Sequence, residues 1–356
     1  MKESNRKIYL VLSLIIIASL ALTGCSSGAT STNNWPGVNA DSETVYFANT
    51  TLLSLRMADG TVKWQYPEKA DAKHLLYSPP VVLEDKILVG DYGGVLRSIN
   101  PNTGTLLWTF EEADNRYIAS PVVTGDQIFA ASMDGTLYAL NQNGVLQWKF
   151  ETKAGLWVGP VANGDMVYQS SMDKKLYALK KSDGSLVWEA DMGAASVTVP
   201  VLSEDASTLY VNTFSNKIIA LETATGKVKW ETPTNDTVWS QPFLVDGLLY
   251  FGDNAGNVYS LDASTGSVKW TITLTGAVIS GGVALADGLV FTSENGEVVM
   301  LSTDGAKVWT RTITGQLYSN LVAVEDRVLV PVMKGDQLLV CFDSNGNQVW
   351  TYTPSK

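Results

Sequence analysis

A turn carrying glycine is followed four residues later by tryptophan eight times along the chain: Gly60/Trp64, Gly104/Trp108, Gly144/Trp148, Gly184/Trp188, Gly226/Trp230, Gly266/Trp270, Gly305/Trp309 and Gly346/Trp350. Successive tryptophans stand 44, 40, 40, 42, 40, 39 and 41 residues apart. A fixed period in this range marks a repeat architecture, and short strands at that period point to propeller blades. Length alone, 356 residues, suggests two ordinary domains. The repeat overrides that expectation, because eight such units close into one ring. Residues 35–356 are therefore predicted to form an all-β, eight-bladed β-propeller with four antiparallel strands per blade.

The third unit displays the pattern: Ser120-Pro121-Val122-Val123, Gln127 to Ser132, Thr136-Leu137-Tyr138-Ala139-Leu140 and Val145 to Phe150. Each run is rich in β-favouring residues and bounded by turn residues, which reads as a strand. Asp134-Gly135 and Asn143-Gly144 supply the positive φ that tight hairpins need. Apolar residues fall on both faces, as expected of blades sandwiched between other blades. The equivalent third strands include Leu176-Tyr177-Ala178-Leu179, Ile218-Ile219-Ala220-Leu221 and Leu339-Val340-Cys341-Phe342, so Cys341 is expected to be a buried, inert thiol. Pro80, Pro121, Pro160, Pro200 and Pro242 mark the first strands. Proline has no N–H to donate, so it belongs at the start of an innermost strand facing the central channel. Ring closure by blade packing without a shared strand and closure with a one-strand phase shift both remain open.

Residues 1–24 carry a charged start, Lys2, Glu3, Arg6 and Lys7, then an apolar run from Ile8 to Leu22 that has the length of a signal-peptide core. Leu22-Thr23-Gly24-Cys25 resembles the lipobox of bacterial lipoproteins, in which the cysteine becomes the lipid-bearing first residue. Residues 25–34 are then a flexible Ser/Thr/Asn-rich tether. The chain is expected to be exported and lipid-anchored on the extracytoplasmic side, at the outer membrane facing the periplasm if the cell has two membranes. The formal charge is −11 over the whole chain and −13 without the leader. An acidic balance of this size leaves no electrostatic footprint for nucleic acid. Cys25 and Cys341 are the only cysteines, so no disulfide framework exists, and His74 is the only histidine.

The Gly-x-x-x-Trp device with an upstream Leu-Tyr-Ala-Leu strand resembles the tryptophan-docking repeat of the pyrroloquinoline-quinone (PQQ) dehydrogenase propeller superfamily. That resemblance implies that Trp64, Trp108, Trp148, Trp188, Trp230, Trp270, Trp309 and Trp350 are structural, each packing between neighbouring blades. A lipobox followed by a single eight-unit propeller is similar to the accessory lipoproteins of the outer-membrane β-barrel assembly machinery. This implies a non-catalytic, monomeric scaffold that binds an envelope protein partner such as a barrel insertase. Two other readings stand beside it: a surface propeller binding a glycan or small ligand, and, more remotely, a quinoprotein dehydrogenase. Such dehydrogenases resemble longer chains with a Ca²⁺ site and often a vicinal disulfide. This chain cannot form that disulfide, and its acidic turn residues Asp91, Asp134, Asp173, Asp253 and Glu294 stand where hairpin chemistry explains them. The reading therefore includes no catalytic residue, no metal and no cofactor.

Three residues before each first-strand proline position the chain carries Tyr77, Ile118, Trp157, Val197, Trp239, Ile279 and Tyr318, with Trp35 at about the same place in unit one. Trp35, Tyr77, Trp157, Trp239 and Tyr318 form the candidate binding rim, suited to stacking on a peptide or sugar ring. Inter-blade packing is the competing reading of the same residues. The next column, Ser78, Ala119, Val158, Thr198, Ser240, Ser280 and Ser319, is small and is expected to leave the channel open. The inter-blade loops 67–74 and 111–116 lie at the same mouth, where an acidic rim favours a basic or neutral partner.

Overall fold

The computed structural model describes residues 35–354, so the expected signal sequence 1–24, the candidate lipidation site Cys25 and the expected tether 25–34 lie outside the described residues. The described residues contain 32 strands and no helix. They form eight antiparallel sheets of four strands, each built from four consecutive strands. Blades one to eight span 37–66, 81–110, 122–151, 161–191, 201–233, 243–273, 283–312 and 322–352. No strand is shared between the first and last blades, which decides the question of closure.

The four strands of a blade differ in what they bury. Second and third strands are enclosed on both sides, as in Gln127–Ala131 and Thr136–Asn141. First strands are short and half-buried, and they begin directly after the marker prolines, as Val122–Thr124 follows Pro121. Fourth strands depart from the expectation of two apolar faces: Leu146–Glu151 alternates between half-buried and exposed residues. The reason is position, since the outermost strand has no further sheet beyond it and turns one face to water.

In every blade the third and fourth strands slip register by one residue at the tryptophan. In blade three Ala139 pairs with Trp148, and Leu140 then pairs with Leu146, leaving Gln147 as the bulged residue. The residue opposite the tryptophan is Ser54, Ser98, Ala139, Ala178, Ala220, Ser260, Met300 or Cys341. Seven of these are small, and the hydroxyls of Ser54, Ser98 and Ser260 have no hydrogen-bond partner. The position therefore selects for size, to admit the indole. Cys341 fits the same rule and is fully buried, with desolvation pushing its thiol up to about 12.

The tryptophans then join the blades. The indole N–H of Trp64 donates to Pro101 O (2.9 Å), Trp148 to Lys181 O (2.9 Å), Trp188 to Thr223 O (2.9 Å) and Trp230 to Ala263 O (3.2 Å). Trp270 donates to Thr303 O (2.9 Å), Trp309 to Ser344 O (2.9 Å) and Trp350 to Met57 O (2.7 Å). Each carbonyl belongs to the third-to-fourth-strand turn of the following blade, and the glycine of that turn lies against the indole face. A Cβ on Gly60 would come within 2.6 Å of the Trp350 ring, and φ there is +71°. Glycine is thus required at that turn both for its backbone and for the space. At the junction of blades two and three the equivalent carbonyl, Gln142 O, accepts instead from Lys86 Nζ (3.2 Å).

Candidate functional site at the channel mouth

The inter-blade loops and the second-to-third-strand turns share one face of the ring and are tied together there. Thr152 N donates to Gly135 O (2.8 Å) and Tyr117 N to Asp91 O (2.9 Å). Acidic turn residues complete the lacing. Asp134 Oδ2 accepts from the Tyr138 hydroxyl (2.9 Å) and from Asp114 N (3.0 Å), and Asp173 Oδ2 from the Tyr177 hydroxyl (2.7 Å) and from Lys153 N (3.1 Å). Asp253 Oδ2 accepts from the Tyr259 hydroxyl (2.7 Å). Burial, together with the negative charge of the aspartate each hydroxyl bonds, lifts the Tyr138 and Tyr177 hydroxyls well above the ordinary phenol range. The tyrosine of the third-strand pattern and the turn aspartate are therefore one structural device.

Asp91 is fully buried and differs from the others. Its Oδ2 meets His74 Nδ1 (2.8 Å) and the Arg97 guanidinium, while its Oδ1 accepts from Gly93 N (2.9 Å) and Val95 N (2.8 Å). The only histidine is thus spent pinning loop 67–74 to blade two. Among the described residues no group of three His, Cys, Asp or Glu side chains is placed to hold a metal.

The column Ser78, Ser240 and Ser280 does not face the channel as expected. Ser78 Oγ donates to Gly90 O (2.9 Å) and accepts from Gly90 N (3.1 Å), and Ser240 Oγ does the same with Gly252 at 3.0 and 2.6 Å. These small residues turn toward their own second strands, where the hydroxyl satisfies a buried backbone pair. The inner ring is formed one residue further on, by a polar belt that links blade to blade. Ser120 Oγ donates to Pro79 O (2.8 Å), and on the first strand of blade one, two positions beyond the belt, Asn39 Nδ2 donates to Pro80 O (3.0 Å). Gln241 Nε2 donates to Val199 O (2.8 Å) while its Oε1 accepts from Val199 N (2.8 Å), and Asn320 Oδ1 accepts from Gly281 N (2.7 Å).

The five candidate rim aromatics fall into three environments. Tyr77 is buried, packed edge-on against Tyr92 at 5.0 Å, and Arg116 lies over the Tyr92 ring at 5.4 Å. Trp157 is half-exposed, by itself. Trp35, Trp239 and Tyr318 come together: the Trp35 ring lies 6.0 Å from Trp239 and 6.2 Å from Tyr318, edge-on to both. Phe214 packs on Trp239 at 5.1 Å, and the Tyr318 hydroxyl donates to Glu294 Oε2 (3.4 Å). Burial, with the Glu294 charge behind it, raises the Tyr318 hydroxyl above its ordinary value. Phe214, Tyr92, Gln241 and Asn320 did not stand out in the sequence. Phe214 had a weak signal, since it occupies a turn where other units carry Asp-Gly or Asn-Gly.

A family model described as "Outer membrane protein assembly factor BamB" matches residues 49–159, 133–277 and 254–356. A 104-residue stretch is 26% identical to the outer membrane protein assembly factor BamB of Salmonella typhimurium, covering 29% of this chain and 26% of that protein. The protein of the same description from Yersinia pestis is 24% identical over 94 residues, 26% of this chain and 23% of its own length. The alignment thus spans about a quarter of each curated relative. Among solved structures, BamB from Moraxella catarrhalis superposes with a TM-score of 0.72 at 17% identity, over 85% of this chain and 94% of that one. The computationally designed Ika8 protein gives 0.76 at 12% identity, over 88% and 98%. A quinohemoprotein alcohol dehydrogenase of Pseudomonas putida gives 0.72 at 13% identity, over 91% and 77%. At these identities the structural likenesses speak for the fold.

Proposed function

The chain belongs to the PQQ-repeat propeller family described as outer membrane protein assembly factor BamB, and from that premise we propose that it is an exported, lipid-anchored, non-catalytic scaffold that binds envelope proteins engaged in outer-membrane assembly. The observation that carries this reading is the family match, which runs without a gap from residue 49 to residue 356 and so takes in all or part of every blade. Cys25 is the anchor in this reading, and residues 25–34 the tether that keeps the propeller near the membrane. The partner-binding face is the channel mouth, where loops 67–74 and 111–116 are held on rigid blades. Glu111, Glu112 and Asp114 near one edge of that face favour a partner with basic or neutral character.

The test is crosslinking in the native envelope with the full-length protein as bait and Cys25→Ser as the unanchored control. Capture of an outer-membrane barrel insertase, reduced by substitutions in loop 111–116, is the expected result. Failure to capture any protein partner with a well-expressed bait overturns the scaffold reading. One observation favours a second reading: Trp157, Trp239 and Tyr318 are half-exposed at the mouth, as a sugar-stacking site requires. A glycan ligand would raise the melting temperature of the purified protein, which a protein scaffold does not predict. The dehydrogenase reading predicts dye reduction and a stability shift with PQQ and Ca²⁺, and is tested in the same assay.

A further inference from the structure

Trp35 is placed by its backbone and held by residues far from it in the chain. The segment that follows is clamped: Pro36 is buried, and a Cβ on Gly37 would lie 2.5 Å from the Pro79 backbone. Asn39 Nδ2 fixes the next turn of chain through Pro80 O (3.0 Å). From this fixed base at blade one, the indole reaches Trp239 and Tyr318, which precede blades six and eight. Ile279 holds the ring position between them. A residue keeping the register of its own blade would instead sit between Tyr318 and Tyr77. Trp35 therefore crosses the mouth and behaves as a ligand placed upon the rim.

We infer that Phe214, Trp239 and Tyr318 form a binding box for one aromatic side chain of an extended peptide, and that Trp35 is its resident occupant in cis. The box has the geometry such a ligand selects. Two rings meet the indole edge-on, at interplanar angles of 73° and 64°, the arrangement in which the positive edge of one ring meets the negative face of another. Phe214 backs Trp239, and Glu294 orients Tyr318. The occupant is held incompletely, since Trp35 retains 36% of its surface in water. A short connection gives it an effective concentration on the order of millimolar, so a peptide in solution meets a site that is already largely filled. A partner presenting a tryptophan or tyrosine in an extended segment enters by displacing Trp35, and apparent affinity falls by the fraction of boxes occupied.

The test measures binding of the acetylated peptide Trp-Pro-Gly-Val, the sequence of residues 35–38, to the full chain by saturation-transfer NMR. The Trp35→Ala chain is expected to bind it about tenfold more tightly than the unsubstituted chain, as removal of a competing occupant requires. Adding Trp239→Ala is expected to abolish that gain, and a peptide with alanine for tryptophan is expected not to bind. Equal binding by the two chains, or binding by neither, overturns the inference. Should Trp35→Ala fail to fold, Tyr318→Ala carries the test through amide exchange at residues 35 and 37. Release of the indole is expected to speed exchange there about tenfold, as for a locally opened segment, and unchanged exchange overturns the box.

Discussion

Glu297 shows how one carboxylate couples this fold to pH. It is buried at the start of the third strand of blade seven, where its Oε2 accepts from Thr275 N (2.9 Å) and Thr275 Oγ1 (2.7 Å) and its Oε1 lies 3.3 Å from Lys307 Nζ. Burial alone would raise its pKa, but the Thr275 bonds and the Lys307 charge outweigh burial and bring it below the ordinary 4.5. A depressed carboxylate stabilises the folded state above its unfolded value and loses that contribution as pH falls through the folded value. Glu297→Gln is therefore expected to cost about 1.5–3 kcal/mol at pH 7, the scale of hydrogen bonds to a charged group. The gap from the unsubstituted protein should narrow as pH drops below 4.5 in urea titrations. A gap that stays constant with pH would assign the loss to packing. Cys341, at the small-residue position opposite Trp350, should resist thiol reagents at pH 8 until the protein unfolds, because its pKa lies at about 12.

At the scale of the strand, position in the blade decides chemistry. Fourth strands are edges, and most guard themselves with charge: Lys63, Lys149, Glu189, Lys229, Lys269 and Arg311 stand on six of them. The blade-two strand Leu106–Phe110 carries none, and exposes Leu106 at 45% and Leu107 at 49%. An unguarded apolar edge is a template for further strand pairing. Leu107→Lys is expected to leave folding stability within about 0.5 kcal/mol, as surface changes do, while reducing self-association in light scattering at raised concentration. The four strands of each blade were legible from local pattern, because alternation and turn dipeptides act over a few residues. The half-wet fourth strands were not, since the same apolar letters occupy inner and outer strands, and only the packing shows which has a neighbour.

The ring is the unit of stability. Blades one and eight share no strand, so closure rests on side chains: Val45, Phe47 and Leu55 pack with Leu329, Leu339 and Cys341 around Trp350. The Trp350 indole N–H crosses 293 residues of sequence to reach Met57 O. Removing a well-buried tryptophan from a core costs about 3–5 kcal/mol, so Trp350→Ala is expected to lower the melting temperature clearly. Because blades otherwise couple only to their neighbours, the open ring should also exchange amides faster in blades one and eight than in blade four. Trp188→Ala, with Trp188 equally part of a junction, should instead place the fastest exchange in blades four and five. Identical exchange maps for the two variants would mean that the ring loosens as a whole whichever junction is weakened, and would overturn nearest-neighbour coupling.

The sequence by itself determined the number of blades, the order of strands within each, and the residues that play glycine and tryptophan roles. These are local: a period near 40 residues, a hairpin dipeptide, a glycine four residues before an indole. The tertiary structure decided which copies meet. In the chain Gly104 stands four residues before Trp108, yet Gly104 receives Trp64, and Trp108 reaches forward to Gly144. Every unit carries both halves of the same lock, so sequence alone is degenerate over the pairing, and only the path of a fourth strand around the ring resolves it. Trp35 carries the same lesson. Its spacing placed it on the rim with its own blade, whereas in the fold its indole meets Trp239 and Tyr318 edge-on, because aromatic edges and faces attract wherever the ring brings them together and spacing along the chain does not encode that meeting.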